Sequence, residues 1–368
     1  MPENERRAVI AGGGTGGHIY AGLSIAEEMK KRWGDGTKIL YVGAAGGLEA
    51  KILPSSGIEF KLIESMGIKG KKISSMLKGI MAIPQSLVQS SRILNSFKPH
   101  IAVGVGGYSS GPVILSAWLR GVPSLILEQN LYPGATNRIL SVFAKKIAVN
   151  FRGSMEAFPA KKVFWSGNPV RDSVRKGSRE KAIQQWGLAE GKFTLLVFGG
   201  SQGARRINEL VPEAAVLLKK RGCSFQLIHQ TGERDFEKVR EKYKNEGIEG
   251  FTASFILNME DAYAAADMVV SRAGATTLSE LQACRKASIL IPFPYATNNH
   301  QEHNARSMEK EGAALMMRES EITGESLADA IENFISDRGK LELFSDKAGQ
   351  LSKINAAEEI VKQCEMLF

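Results

Sequence analysis

The chain has 368 residues, more than one hydrophobic core usually serves, so two domains are expected. A hydrophobic fraction of 43% and a charged fraction of 24% fit a soluble globular protein. The three cysteines, Cys223, Cys284 and Cys364, are scattered without a CxxC pattern, which argues against a disulfide or metal site and indicates reduced thiols in a cytosolic chain.

Short apolar segments alternate with helical segments along the chain, which predicts parallel β-sheets wrapped by α-helices. Strands are predicted over residues 8–11, 38–42, 59–63, 101–103, 124–127, 146–149 and 163–165, and then over residues 194–198, 224–229, 250–255, 268–271, 288–291 and 313–316. The predicted fold class is therefore α/β, with two Rossmann-like, doubly wound parallel-sheet domains and an interdomain cleft. Ligands of such sheets bind at the carboxyl ends of the strands.

A glycine-rich loop, GGGTGGH at residues 12–18, follows the first predicted strand and opens a helix. A helix start offers unpaired N–H groups and a positive dipole end, and both favour anions. The spacing also fits GxGxxG, but the second strand ends in Gly43 without the acidic residue that holds the ribose of NAD, which disfavours a dinucleotide site. His18 is either a capping or packing histidine or a general base.

A basic and apolar stretch follows the third predicted strand, and the chain has no Asp or Glu between Glu64 and Glu128. Such a surface suits anionic lipid headgroups, with apolar side chains dipping below them. The alternative is a solvated helix whose apolar side faces the core. Sparse aromatic residues and the absence of a known motif disfavour nucleic acid. The candidate membrane patch consists of Lys69, Lys71, Lys72, Met76, Leu77, Lys78, Ile80 and Met81.

A turn-rich segment, SGNPVR at residues 166–171, predicts the domain boundary. The predicted domains are residues 1–168 and residues 169–349. The last helix comes after the second sheet is complete, and we expect residues from about 350 to 368 to pack back on the first domain. The acidic N-terminus lacks an apolar signal region, and no apolar run is long enough for a membrane span.

Two further small-residue loops open helices in the second half. GGSQGA at residues 199–204 is a second anion cradle, and without a Walker lysine it is not an NTPase P-loop. SRAGATTLSE at residues 271–280 follows a buried strand. Glu280 either accepts hydrogen bonds from both hydroxyls of a ribose or only complements the helix dipole.

A polar loop at residues 298–304 follows the next strand, and its amides and histidines suit sugar hydroxyls. The spacing of His300 and His303 also fits a metal site, but no carboxylate pair or third histidine is close in the sequence. The chain has no Asp-x-Asp, the pattern by which many sugar-nucleotide enzymes hold Mg²⁺ or Mn²⁺. We therefore expect no metal and no cofactor, with diphosphate charge met by helix ends and an arginine.

Together these segments resemble one family, the GT-B-fold, MurG-type N-acetylglucosaminyltransferases of peptidoglycan synthesis. Its members move GlcNAc from UDP-GlcNAc onto undecaprenyl-pyrophosphoryl-MurNAc-pentapeptide. The resemblance spans nearly the whole chain. It is carried, in order, by GGGTGGH at 12–18, GGYSSGP at 106–112, LEQN at 127–130, GNPVR at 167–171, GGSQGA at 199–204, SRAGATTLSE at 271–280 and HQEHNA at 300–305.

The resemblance implies that the second domain binds UDP-GlcNAc and that the first binds the acceptor and the membrane. The backbone of Ile256 would read uracil, Glu280 the ribose and Gln301 the GlcNAc hydroxyls. The diphosphate and its surroundings would be lined by Ser201, Ala275, Thr276, Thr277, Leu278 and Ser279, with Arg171 reaching from the hinge. Residues approaching the donor from the first domain would be Thr15, Gly16, Gly17 and Asn130.

The implied reaction is an inverting displacement by the 4-hydroxyl of the lipid-linked MurNAc-pentapeptide, which forms the β-1,4-linked disaccharide lipid precursor of peptidoglycan. His18 is the first choice of base, and Glu128 the second, as base or orienter. The enzyme would be metal-independent and peripheral at the cytoplasmic face of the membrane. Its partners would be UDP-GlcNAc, the lipid-linked acceptor and an anionic membrane surface.

Two positions depart from the family pattern. Members often have a histidine where this chain has Leu127, and some have Gln where it has His300, which leaves Gln301 as the only amide of the pair. Three other functions stay open at this point: another GT-B glycolipid glycosyltransferase, a UDP-GlcNAc 2-epimerase, and a non-catalytic nucleotide-sugar-binding membrane scaffold. The epimerase needs no lipid acceptor, so the basic apolar stretch argues against it.

Overall fold

The computed structural model describes residues 5–65 and 73–368, with the backbone alone for residues 73–83. The chain divides into two compact units. Unit 1 comprises Met1–Arg171 together with Lys353–Phe368, and unit 2 comprises Asp172–Ser352. These divisions lie a few residues from the boundaries predicted after residues 168 and 349.

Unit 1 is built around one parallel sheet. Its strands, within the described residues, are β1 (Arg7–Gly12), β2 (Lys38–Ala44), β3 (Glu59–Ile63), β4 (Ile101–Gly106), β5 (Ser124–Glu128), β6 (Lys146–Val149) and β7 (Val163–Trp165). The helices that connect them are α1 (Gly16–Trp33), α2 (Glu49–Ile52), α3 (Ile73–Phe97), α4 (Ser110–Leu119) and α5 (Ala135–Leu140).

The strand order in this sheet is β3-β2-β1-β4-β5-β6-β7, so the order reverses between β1 and β4. In open α/β sheets the crevice beyond such a reversal is where ligands bind. The loops that follow β1 and β4 carry GGGTGGH and GGYSSGP. The topology of unit 1 therefore brings these two motifs to the same edge of the sheet.

The strands of unit 1 are apolar because both faces of the sheet are covered. Ile10 of β1 packs on one side with Ile25 of α1, whereas Val9 packs on the other with Ile114 of α4. All four side chains are fully buried. The continuous apolar run at residues 8–11 predicts a strand for the same reason.

Unit 2 repeats this plan. Its strands, among the described residues, are β8 (Phe193–Phe198), β9 (Phe225–Gln230), β10 (Gly250–Ala253), β11 (Met268–Ser271), β12 (Ala287–Leu290) and β13 (Leu315–Met316). Its helices are α6 (Arg179–Trp186), α7 (Arg205–Lys220), α8 (Phe236–Glu246), α9 (Met259–Ala265), α10 (Ala275–Ala283), α11 (His300–Lys310), α12 (Gly324–Ser336) and α13 (Arg338–Gln350). The parallel strand order, β10-β9-β8-β11-β12-β13, reverses between β8 and β11, which carry GGSQGA and SRAGATTLSE at their carboxyl ends.

The last helix, α14 (Ala356–Glu365), belongs to unit 1. Ile360 is fully buried in the core that β1 and α1 share. At the end of the helix the Glu365 carboxylate accepts hydrogen bonds from Nε of Arg32, at 2.8 Å, and from the indole of Trp33, at 2.9 Å. Apolar packing and these bonds to α1 hold the end of the chain.

The predicted fold class is confirmed as two parallel-sheet α/β domains, and each predicted strand overlaps an observed one within the described ranges. The largest differences are at the two edge strands of the second sheet, where residues 250–255 were predicted and β10 covers Gly250–Ala253, and where residues 313–316 were predicted and β13 covers Leu315–Met316. An edge strand pairs on one side alone, which shortens it.

Candidate active site

His18 lies at the start of α1. Thr15 is the N-cap of this helix, and its hydroxyl accepts a hydrogen bond from the N–H of His18, 3.4 Å away. The imidazole turns back toward the loop, with Nδ1 2.9 Å from the carbonyl oxygen of Gly13. Because Thr15 caps the helix, the geometry does not favour the interpretation of His18 as a capping residue.

Two contacts of Nδ1 bear on which nitrogen of His18 carries the proton, since Nδ1 lies 2.9 Å from the Gly13 carbonyl and 3.1 Å from the Thr15 hydroxyl. A carbonyl oxygen only accepts hydrogen bonds, whereas a hydroxyl can accept as well as donate, so a proton on Nδ1 suits both contacts and leaves the lone pair of the neutral ring on Nε2. Nε2 is 2.8 Å from the position that a Cβ on Gly106 would occupy, and Gly106 has φ +98°. The ring therefore packs against a glycine backbone, with Nε2 in the state that a general base requires.

The loops after β1 and β4 lie in direct contact. The N–H of Gly13 donates a hydrogen bond to the carbonyl of Gly106, 3.1 Å away. A Cβ on Gly107, which has φ +83°, would stand 2.0 Å from the carbonyl oxygen of Gly13. Only glycine at position 107 allows the two backbones to come this close. The two glycine-rich segments, which are far apart in the sequence, therefore form one surface.

Glu128, the second candidate base, is 2% exposed at the end of β5. Its Oε1 accepts from the backbone and side-chain nitrogens of Asn130, at 2.9 and 3.3 Å. Its Oε2 accepts from the N–H of Gly134, at 3.0 Å, and from Nδ2 of Asn137, at 2.9 Å. With both oxygens held by N–H donors, the geometry favours the orienting role over that of a base.

The donor-approaching residues predicted in unit 1 lie at the same edge. Thr15 is exposed, and Gly16 and Gly17 are half-buried. The carbonyl of Gly17 accepts from Nε2 of Gln129, 3.4 Å away, which ties the first glycine loop to the segment that holds Asn130. The structure therefore brings the predicted residues of unit 1 together.

Arg171 closes the main segment of unit 1 and contacts α1. Its guanidinium carbon is 4.3 Å from the centre of the Tyr20 ring, a cation–π contact that sequence reasoning missed. The Nε of Arg171 is buried and has no hydrogen-bond partner among the described residues. The stacking holds the side chain near the start of α1, two residues after His18.

In unit 2, Ser201 is exposed on the loop between β8 and α7. Gly200 and Gly203 both adopt positive φ, +94° and +74°, and a Cβ on Gly203 would meet the carbonyl of Thr231 at 1.9 Å. The N-cap of α7, Ala204, makes no side-chain capping hydrogen bond, and the first turn contains no acidic residue. The start of α7 therefore keeps the positive potential that attracts a phosphate.

Gln230, which the sequence did not single out, connects this loop to the segment that contains Ile256. Its Nε2 donates to the carbonyl of Gly200 at 3.1 Å, and its Oε1 accepts from the N–H of Ile256 at 2.9 Å. The N–H of Ile256 is thus already used. A base edge recognised by this backbone has to donate to the Ile256 carbonyl, which accepts no hydrogen bond within the described ranges.

α10 also starts without a side-chain cap, at Gly274, and has no acidic residue in its first turn. Thr276 and Thr277 are half-buried, whereas Ala275, Leu278 and Ser279 are buried. The N–H of Leu278 donates to the carbonyl of Gly274, and the Ser279 hydroxyl donates to that of Ala275. Thr276 and Thr277 are thus the more accessible of the predicted lining residues of α10, and the role of all five stays a prediction.

Glu280 lies beyond the first turn of α10, where the helix dipole acts weakly. Its Oε2 accepts a hydrogen bond from the hydroxyl of Tyr263, 2.9 Å away on α9. The sequence did not single out Tyr263, because it lies in a short helix outside the glycine-rich motifs. This contact fixes the orientation of the Glu280 carboxylate, which favours a role in ligand binding over a role as a complement of the helix dipole.

Gln301 is oriented by the backbone of the preceding loop. Its Oε1 accepts from the N–H of Phe293 at 3.0 Å, which leaves the amide nitrogen to donate. Arg272, buried after β11, supports that loop by donating to the carbonyls of Ile291 and Pro292, each at 3.1 Å. The neighbouring His300 has Nδ1 2.7 Å from the carbonyl of Thr297.

Part of the predicted membrane patch lies outside the described residues, namely Lys69, Lys71 and Lys72. For Met76, Leu77, Lys78, Ile80 and Met81 only the backbone is described, as part of α3. In the part of the chain that the structure describes, no helix is long and apolar enough to span a bilayer. In the same part, no three His, Cys, Asp or Glu side chains are grouped as metal ligands.

Comparison with known proteins covers both halves of the chain. Residues 8–149 match the N-terminal domain of glycosyltransferase family 28, and residues 194–364 match its C-terminal domain. A protein of Myxococcus xanthus (strain DK1622) is 44% identical over 358 residues, which cover 97% of this chain and 92% of the relative. A protein of Syntrophus aciditrophicus (strain SB) is 43% identical over 359 residues, covering 97% and 98%.

Both relatives are named UDP-N-acetylglucosamine--N-acetylmuramyl-(pentapeptide) pyrophosphoryl-undecaprenol N-acetylglucosamine transferase. Among solved structures, the crystal structure of Acinetobacter baumannii MurG superposes with a TM-score of 0.78 at 28% sequence identity. That match covers 98% of this chain and 99% of the other. The similarity therefore extends through both units.

Proposed function

This chain belongs to glycosyltransferase family 28, and on that premise we propose that it transfers GlcNAc from UDP-GlcNAc to the 4-hydroxyl of undecaprenyl-pyrophosphoryl-MurNAc-pentapeptide. The product is the β-1,4-linked disaccharide lipid precursor of peptidoglycan, so the protein acts in cell wall biogenesis. Relatives with this activity cover nearly the whole chain at 44% and 43% identity.

The observation that carries the proposal is the pair of uncapped helix starts in unit 2. α7 and α10 follow β8 and β11, which are neighbours at the reversal of the strand order. Backbone N–H groups from two helix starts neutralise a diphosphate without a metal ion. Glu280 takes the ribose, the carbonyl of Ile256 takes the uracil edge, and the amide nitrogen of Gln301 donates to the GlcNAc hydroxyls.

The chemical step is a single displacement with inversion. The acceptor oxygen forms a bond to the anomeric carbon as the bond from that carbon to the UDP oxygen breaks. Nε2 of His18 takes the proton of the attacking hydroxyl, because the proton on Nδ1 is held by the Gly13 carbonyl. UDP leaves with its negative charge stabilised by the start of α7, Ser201 and Arg171.

We propose that the enzyme works as a peripheral protein at the cytoplasmic face of the membrane, since its acceptor is lipid-linked. Basic residues of the candidate membrane patch attract anionic headgroups, and the apolar residues between them insert below. A single lysine near an anionic surface contributes about 1 kcal/mol, so several are needed together.

A transfer assay with radiolabelled UDP-GlcNAc tests the function. With the lipid-linked MurNAc-pentapeptide, label should appear in the lipid product, and turnover should persist in EDTA. A matched lipid pyrophosphate without the MurNAc-pentapeptide is the control acceptor. Label on that lipid would indicate another glycolipid glycosyltransferase. Epimerised UDP-sugar made without acceptor would indicate an epimerase, and binding without turnover would indicate a scaffold.

A further inference from the structure

Glu49 is a buried carboxylate beneath the first glycine loop. It is the first residue of α2 and is 0% exposed. Its Oε1 accepts hydrogen bonds from the N–H of Gly14, at 2.9 Å, and from the N–H of Ala44, at 3.2 Å, whereas its Oε2 has no partner among the described residues. No ion pair to Glu49 is found in the described ranges. Burying a carboxylate without a cation is costly, so the hydrogen bonds to Oε1 have to offset that cost.

Three glycines make room for this side chain. A Cβ on Gly13 would stand 1.5 Å from Oε1 of Glu49, and one on Gly47 would stand 2.0 Å from Oε2. A Cβ on Gly43 would be 2.9 Å from the Glu49 side chain. Position 13 therefore has to be glycine, because any side chain there would collide with the Glu49 carboxylate. The same carboxylate already accepts the hydrogen bond of the Gly14 N–H.

Glu49 and His18 contact opposite ends of one peptide group. The peptide between Gly13 and Gly14 donates its N–H to Oε1 of Glu49 and accepts the Nδ1 proton of His18 on its carbonyl oxygen. The described chain has no cis peptide bond, so the N–H and C=O of this group point in opposite directions. Hydrogen bonds in series polarise one another, and this series links a negative charge to the imidazole.

We propose that Glu49 is a positioning residue for His18, acting through the peptide group between Gly13 and Gly14. It holds the glycine loop so that the Gly13 carbonyl faces Nδ1, and its charge makes that carbonyl a stronger acceptor. Nε2 of His18 thereby stays unprotonated in the neutral ring and becomes more basic. The part that concerns catalysis rests on the proposed function, whereas the part that concerns the imidazole does not.

The first test needs no substrate and no change at Glu49. ¹⁵N NMR of the folded protein should show neutral His18 with its proton on Nδ1, since the Gly13 carbonyl accepts it. The chain has five histidines, so the signal is assigned by its absence from His18→Gln. A proton found on Nε2 of the neutral ring would overturn the proposal.

The second test compares the titration of His18 in two variants, Glu49→Gln and Glu59→Gln. Glu59 is an exposed carboxylate at the start of β3 and serves as the control. Removing the charge of Glu49 should destabilise the imidazolium, so His18 should titrate lower by about 0.5–1 pH unit at an effective dielectric constant of about 20 or more. The other titratable groups next to the loop or coupled to Glu49 are Tyr108, Tyr20, Arg171 and the buried Tyr41, and neither variant replaces any of them. An unchanged titration in Glu49→Gln, or an equal change in Glu59→Gln, would overturn the proposal.

Kinetics provides the third readout. In Glu49→Gln we expect kcat to fall by roughly 3- to 30-fold with KM for UDP-GlcNAc unchanged, and the acid limb of kcat/KM to move to lower pH. A purely structural role would lower thermal stability or raise KM without moving that limb. If Glu49→Gln does not fold, Gly13→Ala is the substitute, because its Cβ would displace the Glu49 carboxylate. The titration of His18 is then measured in that variant. A protein that shows the NMR shift but no GlcNAc transfer would refute the function and leave the positioning role standing.

Discussion

The hydroxyl of Tyr263 donates a hydrogen bond to Oε2 of Glu280, 2.9 Å away, and so joins α9 to α10. Tyr263 is 1% exposed, and its ring meets that of Phe198 edge to face at 6.0 Å. A hydroxyl locked by packing in this way fixes the direction of the carboxylate that it contacts. The residue proposed to hold the ribose is therefore aimed from a neighbouring helix.

Tyr263→Phe should weaken the affinity for UDP by roughly 3- to 20-fold, because Glu280 loses the donor that aims it. Isothermal titration calorimetry measures this directly, and Glu280→Ala should weaken binding at least as much. Tyr243→Phe is the matched control, since it removes another buried hydroxyl of unit 2, one that lies 2.8 Å from Nδ1 of His229. Equal affinity losses in both tyrosine variants would argue against a specific role.

His18→Ala should lower kcat by about 10²- to 10⁴-fold, the usual contribution of general acid–base catalysis, with little change in UDP-GlcNAc affinity. Steady-state kinetics and calorimetry together separate the two effects. His100→Ala, at an exposed histidine of unit 1, should keep wild-type kcat. An unchanged kcat in His18→Ala would remove His18 from the role of base.

Gly106→Ala should reproduce much of the kinetic defect of His18→Ala. The added Cβ would stand 2.8 Å from the His18 ring, so the imidazole has to move, and φ +98° adds backbone strain. Gly121→Ala introduces similar strain, at φ +71°, where a Cβ meets nothing within 4 Å. We expect Gly121→Ala to lower thermal stability and leave kcat unchanged, and equal kcat values for the two variants would contradict the proposed contact.

Replacement of Lys69, Lys71, Lys72 and Lys78 with Glu should abolish sedimentation with anionic vesicles, because the surface charge that attracts the headgroups is reversed. The control carries the same charge change in unit 2, at Lys220, Lys238, Lys242 and Lys244. That variant should sediment like the wild type. Full sedimentation of the first variant would refute the basic patch.

Thermal stability should decrease as the pH is lowered, because the buried His229 resists protonation in the folded protein. Burial lowers the pKa of this histidine to about 3, whereas in the unfolded chain it titrates near 6.5. Below pH 6.5 the unfolded chain binds a proton that the folded protein excludes, so stability is lost as pH falls toward 3, by up to about 1.4 kcal/mol per pH unit.

His229→Gln should lower Tm at neutral pH, because the bonds to Tyr243 and Asn208 change, and should flatten the dependence of Tm on pH between about 6.5 and 4. Differential scanning fluorimetry across that range measures the slope. His100→Gln, at an exposed site, should keep the wild-type slope. An equally steep slope in His229→Gln would show that other groups dominate acid unfolding.

The strands and glycine loops could be predicted from the sequence because their signals are local. A parallel strand covered on both faces is an apolar run, and a loop that must adopt positive φ or admit another backbone requires glycine. His18 and Ser201 could be proposed from the sequence because each lies in such a loop, and Glu280 because it ends the motif at residues 271–280 that begins with one. The sequence does not separate Leu278 and Ser279, which are buried, from Thr276 and Thr277, which are half-buried, since which face of a helix is buried depends on its neighbours.

The sequence by itself determined where the helix starts lie and which family the chain belongs to, because each motif is contiguous and the motifs occur in a fixed order. The tertiary structure decided which side chains orient the site. Glu49, Gln230 and Tyr263 each act on a residue of another element, through one or two hydrogen bonds of 2.9–3.1 Å. Such bonds form only when packing brings distant segments within reach, and no local pattern records that distance.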